Sequence, residues 1–264
     1  MIEASNISVS YGRKLILDGV SFTAQPGELT AIVGPNGSGK STLLKALSGD
    51  LPYSGIIRLN GNDIARQSVL DLAIQRGVLP QASSLSFPFR VREVIEIGLG
   101  AGVHGDQHHI TQLALDRVGL AGFSEHLYQE LSGGQQQRVQ LARVLAQIWH
   151  PVGENGPCWL LLDEPVSSLD IAHQLGVMQI AQDFARAGGG VVAVMHDLNL
   201  TAMFADRMAV LHDGRCLASG KTQDVFRDEV LSAAYMCRIQ TACLPGTGIR
   251  YFLPQTSGRV AQAG

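Results

Sequence analysis

The chain has 264 residues, of which 45% are hydrophobic and 16% are charged, which suits one sizeable packed α/β domain. Its 20 basic and 23 acidic residues leave a net charge of −3, so the sequence lacks the basic field that a nucleic-acid binder needs. No apolar run approaches the ~20 residues that span a bilayer, and the opening MIEASNISVSYG is not a signal peptide. We therefore expect a cytoplasmic protein whose role at a membrane, if any, comes through a partner chain.

The cysteines and histidines show no convincing metal-site spacing. The four cysteines include no CxxC pair, so free thiols are expected rather than a disulfide or a zinc site. The run HGDQHH at residues 104–109 lies in a Gly-rich polar stretch, which favours a solvated loop over a metal site.

The first half of the chain begins with short apolar runs separated by turns and then becomes mostly helical from about residue 68. The run LTAIVG is compact and β-rich, as expected of a buried central strand. The predicted strands here are 2–11, 19–28, 29–34 and 54–61, and the predicted helices are 40–49, 91–99 and 110–120. We expect about 84–130 to form a helical subdomain inserted into a core made of residues 1–83 and 131–240.

In the second half, strands alternate with helices, which predicts an α/β fold with a parallel sheet. The predicted helices are 135–149, 171–187 and 222–236; the predicted strands are 158–165, 190–197 and a pair within 207–220; and 150–157 is a predicted polar loop. Residues 241–264 are expected to form a C-terminal extension.

The strongest motif is GPNGSGKST, residues 34–42, which matches G-x-x-x-x-G-K-[ST] between a predicted strand and a predicted helix. Its glycines let backbone N–H groups point at phosphate oxygens, at the positive end of the following helix. In this pattern Lys40 reaches the β- and γ-phosphates, Ser41 ligates Mg²⁺ and Thr42 donates to the α-phosphate. The residues predicted to bind the nucleotide here are Asn36, Gly37, Ser38, Gly39, Lys40, Ser41 and Thr42.

The apolar strand LLLDEP supplies two carboxylates. Asp163 at its end is suited to hold Mg²⁺. Because side chains alternate along a strand, Glu164 turns differently and is suited to orient or deprotonate an attacking water. Glu164 could instead be a surface acid that caps the next element, but with the glycine-rich loop the pair indicates a nucleoside triphosphatase.

A second glycine-containing stretch, LSGGQQQRVQLAR at residues 131–143, precedes another helix, although one nucleotide does not need two phosphate cradles. It resembles the signature motif of the nucleotide-binding subunits of ABC transporters. Further motifs follow that family's order over most of residues 1–220: Tyr11 in VSYGRK, Gln81 in VLPQ, SSLD at 167–170, and His196 in VMHD. The chain departs from the pattern at Val166, where the family usually has Thr.

The resemblance implies a P-loop NTPase core with a parallel sheet, an N-terminal antiparallel β subdomain and an inserted helical subdomain. It also implies that Tyr11 stacks on adenine, that Gln81 touches Mg²⁺ or the attacking water, and that His196 contacts the γ-phosphate and steadies Glu164. Taken singly, Tyr11 could be an exposed turn aromatic and Gln81 a polar strand end. The residues implied to act across a dimer, against ATP held by a second copy, are Ser132, Gly133, Gly134 and Asp170.

Two classes of ABC protein remain to be weighed. Non-transport members of DNA repair resemble split cassettes, and those of translation resemble tandem ones, whereas this chain has one cassette with 92 residues (132 − 40) between its two glycine motifs. We therefore favour a transporter subunit. The segments 80–99 and 225–239 resemble importers of iron-siderophore, haem and cobalamin complexes, and an extended loop at 148–159 resembles the haem importers; siderophore and cobalamin stay open as alternatives.

As such a subunit, the chain is expected to bind ATP and Mg²⁺ and to lie peripherally on the cytoplasmic face of a bacterial inner membrane. Its implied partners are a second copy of itself, an integral-membrane permease dimer contacted near Gln81 and residues 83–93, and indirectly a periplasmic substrate-binding protein. Neither nucleic acid nor the cargo itself is an expected partner.

Overall fold

The computed structural model describes residues 1–81, 85, 87–100, 107–254 and 258–259. The helices of this part are α1 (Lys40–Ser48), α2 (Val69–Gln75), α3 (Val91–Leu99), α4 (Gln107–Arg117), α5 (Gly133–Gln147), α6 (Ile171–Arg186), α7 (Leu198–Phe204), α8 (Thr222–Val225) and α9 (Asp228–Tyr235). The strands are β1 (Ile2–Tyr11), β2 (Lys14–Ala24), β3 (Leu29–Val33), β4 (Ser54–Leu59), β5 (Asn62–Asp63), β6 (Arg76–Leu79), β7 (Val152–Gly153), β8 (Gly156–Pro157), β9 (Trp159–Asp163), β10 (Gly190–Val194), β11 (Arg207–His212), β12 (Arg215–Lys221), β13 (Cys237–Arg238), β14 (Thr241–Cys243), β15 (Arg250–Phe252) and β16 (Gly258–Arg259).

A six-stranded sheet in the order β12-β11-β3-β10-β9-β6 forms the centre of the fold. All its neighbouring pairs are parallel except β11 with β12, which is antiparallel. Every residue of β3, β9 and β10 is buried, because helices or a second sheet cover both faces. Alternate residues of β9 therefore enter two different hydrophobic clusters, with Leu160 and Leu162 in one and Trp159 and Leu161 in the other. The predicted parallel α/β sheet is confirmed.

The N-terminal sheet has the order β2-β1-β4-β5, and all its strand pairs are antiparallel. Its apolar face shares one cluster with α1 and with one face of the central sheet; Ile7, Leu43 and Leu161 are members of that cluster. This packing fixes α1 beneath the loop that precedes it. The predicted N-terminal antiparallel part is confirmed.

Helices α3 and α4 pack against α5, and α5 also packs against β6 of the central sheet. The approach of α3 to α5 is close: a Cβ added at Gly98 would lie 2.2 Å from the carbonyl oxygen of Arg143. Because α5 touches both parts, it joins the helical region to the core. The division of the chain at residues 84 and 130 stays a prediction.

Some local predictions were wrong. The single helix predicted at 222–236 is two short helices, because Phe226 leaves the helical conformation (φ −74°, ψ 72°) and buries its side chain completely in the core. The mostly helical segment after residue 68 contains the strand β6, the polar loop 150–157 contains the hairpin β7–β8, and α7 was not predicted. Of the run at 104–109, residues 104–106 lie outside the described residues, and His108 and His109 belong to α4 rather than to a loop.

None of the described helices is both long and apolar enough to cross a membrane.

Candidate active site

The phosphate loop, residues 34–42, joins β3 to α1. Gly39 caps α1 in the left-handed conformation (φ 98°), which glycine adopts without strain, and Lys40 begins the helix. The Lys40 ammonium donates to the carbonyl oxygens of Gly34 (2.9 Å) and Pro35 (3.0 Å). Burial lowers the pKa of Lys40, while the nearby carboxylates of Glu164 and Asp163 act to raise it. The lysine is therefore held inside the loop, close to two negative charges.

An open cleft of about 690 Å³ lies above this loop. It brings together ten of the residues predicted from the sequence: Tyr11, Asn36, Gly37, Gly39, Lys40, Ser41, Thr42, Gln81, Glu164 and His196. Lys14 and Ile16 of β2 also line it and were not predicted. Their position on the strand that follows the Tyr11 turn was the available signal. We call this space the nucleotide cleft.

Asp163 and Ser41 meet at the floor of the site, although 122 residues separate them. Asp163 ends β9 with only 4% of its surface exposed, and the Ser41 hydroxyl donates to its Oδ1 at 2.9 Å. Burial raises the pKa of Asp163, and the hydrogen bond from Ser41 opposes this. A carboxylate beside a hydroxyl is the oxygen-ligand chemistry that Mg²⁺ prefers, so these residues fit the ion predicted there.

Glu164 and His196 form the second polar pair of the cleft. Glu164 directly follows Asp163 at the end of β9, and its φ of 52° is one that residues other than glycine rarely adopt. Its Oε1 lies 2.5 Å from His196 Nε2, and the carboxylate is mostly buried while the imidazole is partly exposed. His196 follows β10, the strand beside β9, so the parallel sheet brings both side chains to one edge. A carboxylate oriented by an imidazole can accept a proton from a bound water.

The remaining predicted residues do not line the nucleotide cleft. The Ser38 side chain is buried, and its N–H donates to the Pro35 carbonyl. Asp170 caps α6 and accepts from the N–H and the ring Nδ1 of His173, and these bonds lower its pKa.

Ser132 caps α5 through a reciprocal capping box with Gln135, and Gly133 and Gly134 form the first helical positions. Ser132 and Gly133 are exposed. A helix N-terminus with exposed N–H groups and no side chain at its first position is suited to an anion. Among the described residues, none of these three lines the nucleotide cleft, although Gly133 and Gln81 line a smaller pocket together.

Comparison with known proteins identifies the family. The family model described as ABC transporter matches residues 17–167. Proteins named hemin import ATP-binding protein HmuV are similar over nearly the whole chain: that of Jannaschia sp. (strain CCS1) is 56% identical, covering 100% of this chain and 97% of its own length. That of Mesorhizobium japonicum is 54% identical, covering 97% of this chain and 99% of its own length.

Solved structures agree. A dimeric ATP-binding cassette in a post-hydrolysis state, bound to ADP and Pi, is 26% identical with a TM-score of 0.72, covering 84% of this chain and 99% of that one. An inward-facing structure described as a metal-chelate type ABC transporter is 25% identical with a TM-score of 0.76, covering 96% of each chain. The resemblance inferred from the motif order is confirmed: the chain belongs to the ABC transporter family, as an ATP-binding subunit.

Proposed function

We propose that this chain is the ATP-binding and ATP-hydrolysing subunit of a bacterial importer of hemin. The observation that carries the enzymatic part is the nucleotide cleft, which is lined by a phosphate loop and a carboxylate–imidazole pair and has the buried carboxylate of Asp163 hydrogen-bonded to its Ser41. The cargo rests on relatives at 54–56% identity over 97–100% of the chain, which are named for hemin import. The alternative cargoes are iron-siderophore and cobalamin complexes.

In this proposal ATP lies in the nucleotide cleft with its adenine on Tyr11, which is 55% exposed and free to offer its ring face. The phosphates lie along Asn36–Thr42, and Lys40 holds the β- and γ-phosphate oxygens. When bound, Mg²⁺ would be held by Ser41, Asp163 and Gln81 and would offset negative charge on the phosphates.

Glu164 and His196 carry out the hydrolysis. Glu164 accepts a proton from the attacking water as the water oxygen bonds to the γ-phosphorus. The bond from that phosphorus to the β,γ-bridging oxygen breaks, which releases ADP and phosphate. His196, hydrogen-bonded to Glu164, keeps the carboxylate aimed at the water and contacts the γ-phosphate.

Two copies complete each site. The exposed start of α5 at Ser132, Gly133 and Gly134 receives the γ-phosphate of ATP bound to the partner copy, and Asp170 reports across the interface. ATP favours the closed dimer over the open one, and this differential affinity drives the conformational change.

Closure acts on a permease dimer through the side of the subunit near Gln81 and residues 83–93, of which 83, 84 and 86 lie outside the described residues. The subunit then lies peripherally on the cytoplasmic face of the inner membrane. It contacts the periplasmic substrate-binding protein only through the permease, and it contacts neither nucleic acid nor the cargo.

The test is reconstitution of the chain with its permease in proteoliposomes. We expect ATP turnover to rise when hemin-loaded binding protein is added, and not when siderophore- or cobalamin-loaded protein is added. If only siderophore-loaded or only cobalamin-loaded protein stimulates turnover, the assignment of hemin as the cargo is overturned.

The role of Glu164 is tested in detergent-free solution. Glu164→Gln should stop turnover and accumulate an ATP-bound dimer in size-exclusion chromatography; a Glu164→Gln variant that turns over freely would overturn the role of Glu164.

A further inference from the structure

The backbone of Glu164 is held in an unusual conformation. Its φ of 52° is one that residues other than glycine rarely adopt, and it persists only where the surroundings impose it. The side chain carried by this backbone reaches His196, with its Oε1 2.5 Å from Nε2. Whatever holds this peptide therefore controls where the carboxylate lies.

Four hydrogen bonds hold the Glu164 backbone. Its N–H donates to the Val194 carbonyl at 3.2 Å. Its carbonyl oxygen accepts from the N–H (3.3 Å) and the hydroxyl (3.2 Å) of Ser167, and from Nε2 of Gln137 at 3.2 Å. The contacts from Val194 and Ser167 come from the neighbouring strand and the following turn. The contact from Gln137 comes from α5, the helix that begins at the signature glycines.

Gln137 lies in the first turns of α5. Four residues separate it from Gly133, which corresponds to about 6 Å along a helix. Helix hydrogen bonds make this short segment move as a unit, so a displacement of the helix start also displaces the amide of Gln137. Among the described residues, Oε1 of Gln137 is buried and accepts no hydrogen bond, so the amide is oriented by its bond to Glu164.

We propose that Gln137 is a positioning residue that links the two ATP sites of the dimer. When the start of α5 engages the phosphate bound to the partner copy, Gln137 adjusts the peptide of Glu164 in its own subunit. One ATP then affects the hydrolysis of the other through a single side chain. The proposal rests on the proposed function, because it requires Glu164 to be the catalytic base and α5 to contact the partner's ATP.

Gln136 provides a matched control. It precedes Gln137 on the same helix, but its Nε2 donates to the carbonyl oxygens of Tyr128 (3.1 Å) and Leu131 (3.2 Å), in the turn before α5. A general weakening of α5 would affect both variants alike, whereas a link to Glu164 belongs to Gln137 alone.

The experiment compares Gln137→Met, which keeps the length without the donor, with Gln136→Met in the full chain. Steady-state turnover is measured against ATP concentration, and ATP affinity is measured separately with a fluorescent nucleotide at protein concentrations too low for dimers. For Gln137→Met we expect kcat to fall about two- to tenfold, the scale of one lost hydrogen bond, and the Hill coefficient to move toward 1 with unchanged ATP affinity. Gln136→Met should retain the wild-type Hill coefficient.

Gln137→Glu is the second variant, in case Gln137→Met does not fold. Its carboxylate cannot donate to the Glu164 carbonyl, so it should also lower the Hill coefficient. Wild-type kcat and Hill coefficient in a folded Gln137 variant would overturn the link. Glu164→Gln is measured in parallel: if it stops turnover while both Gln137 variants behave as wild type, only the link fails, and if it turns over freely, the proposed role of Glu164 fails.

Discussion

The replacement Gly133→Ala separates what the fold requires from what the partner's ATP requires. Gly133 is the first helical residue of α5, its φ is not positive, and an added Cβ would meet nothing within 4 Å in the subunit. Alanine therefore fits this position without strain. Because glycine loses more backbone entropy than alanine on folding, we expect the variant to be more stable by about 0.4–1 kcal/mol. For a chain of this size that raises the melting temperature by roughly 1–4 °C.

The same replacement should damage turnover. A methyl group at the exposed helix start would push a phosphate away from the N–H groups and cost a charge-assisted hydrogen bond, about 1.5–3 kcal/mol, or roughly ten- to hundredfold in turnover. Thermal unfolding by circular dichroism and phosphate release under saturating ATP measure the two effects on one preparation. Gly134→Ala is the control for the stability effect. Its added Cβ would lie 3.2 Å from Leu169 Cδ2, so we expect no rise in the melting temperature. A Gly133→Ala variant with wild-type turnover would refute the contact with the partner's ATP.

Three further changes have defined outcomes. Lys40→Ala should weaken ATP binding at least about hundredfold in a fluorescent-nucleotide titration, with an unchanged circular dichroism spectrum, because in the proposed function its ammonium holds the phosphates; retained affinity would exclude that role. Gly98→Ala should lower the free energy of unfolding by about 1–3 kcal/mol, because its Cβ meets the α5 backbone, whereas Gly100→Ala has nothing nearer than 3.7 Å and should be nearly neutral in denaturant titrations. Burial raises the pKa of the Cys158 thiol above its usual 9.0. Above about pH 9 the unfolded state therefore loses this proton while the folded state keeps it, so the free energy of unfolding should decline as the pH rises. In a thiol-reagent assay at pH 8, exposed Cys243 should react in the native protein and Cys158 only after unfolding; rapid native reaction of Cys158 would contradict its burial.

Much of this protein could be predicted from its sequence, because the features concerned are local. The phosphate loop is one contiguous segment of nine residues, so its glycines, its lysine and the start of the following helix can be predicted from the sequence directly. The strands β3, β9 and β10 are continuous apolar runs because both of their faces are covered, and this predicted the parallel sheet. Local signals failed where burial decided, as at Phe226, whose packing into the core divides one predicted helix into two.

The tertiary structure alone decided which distant residues meet. Glu164 and His196, 32 residues apart, meet because the adjacent parallel strands β9 and β10 end at one edge of the sheet. Ser41 and Asp163, 122 residues apart, meet because the start of α1 packs against the end of β9. The bond from Gln137 to the Glu164 backbone was not predicted, since no sequence pattern tells which of three consecutive glutamines turns toward the core. Sequence thus determined the chemical groups, because each is encoded in one segment. Strand order and helix packing determined their distances, which depend on the whole chain.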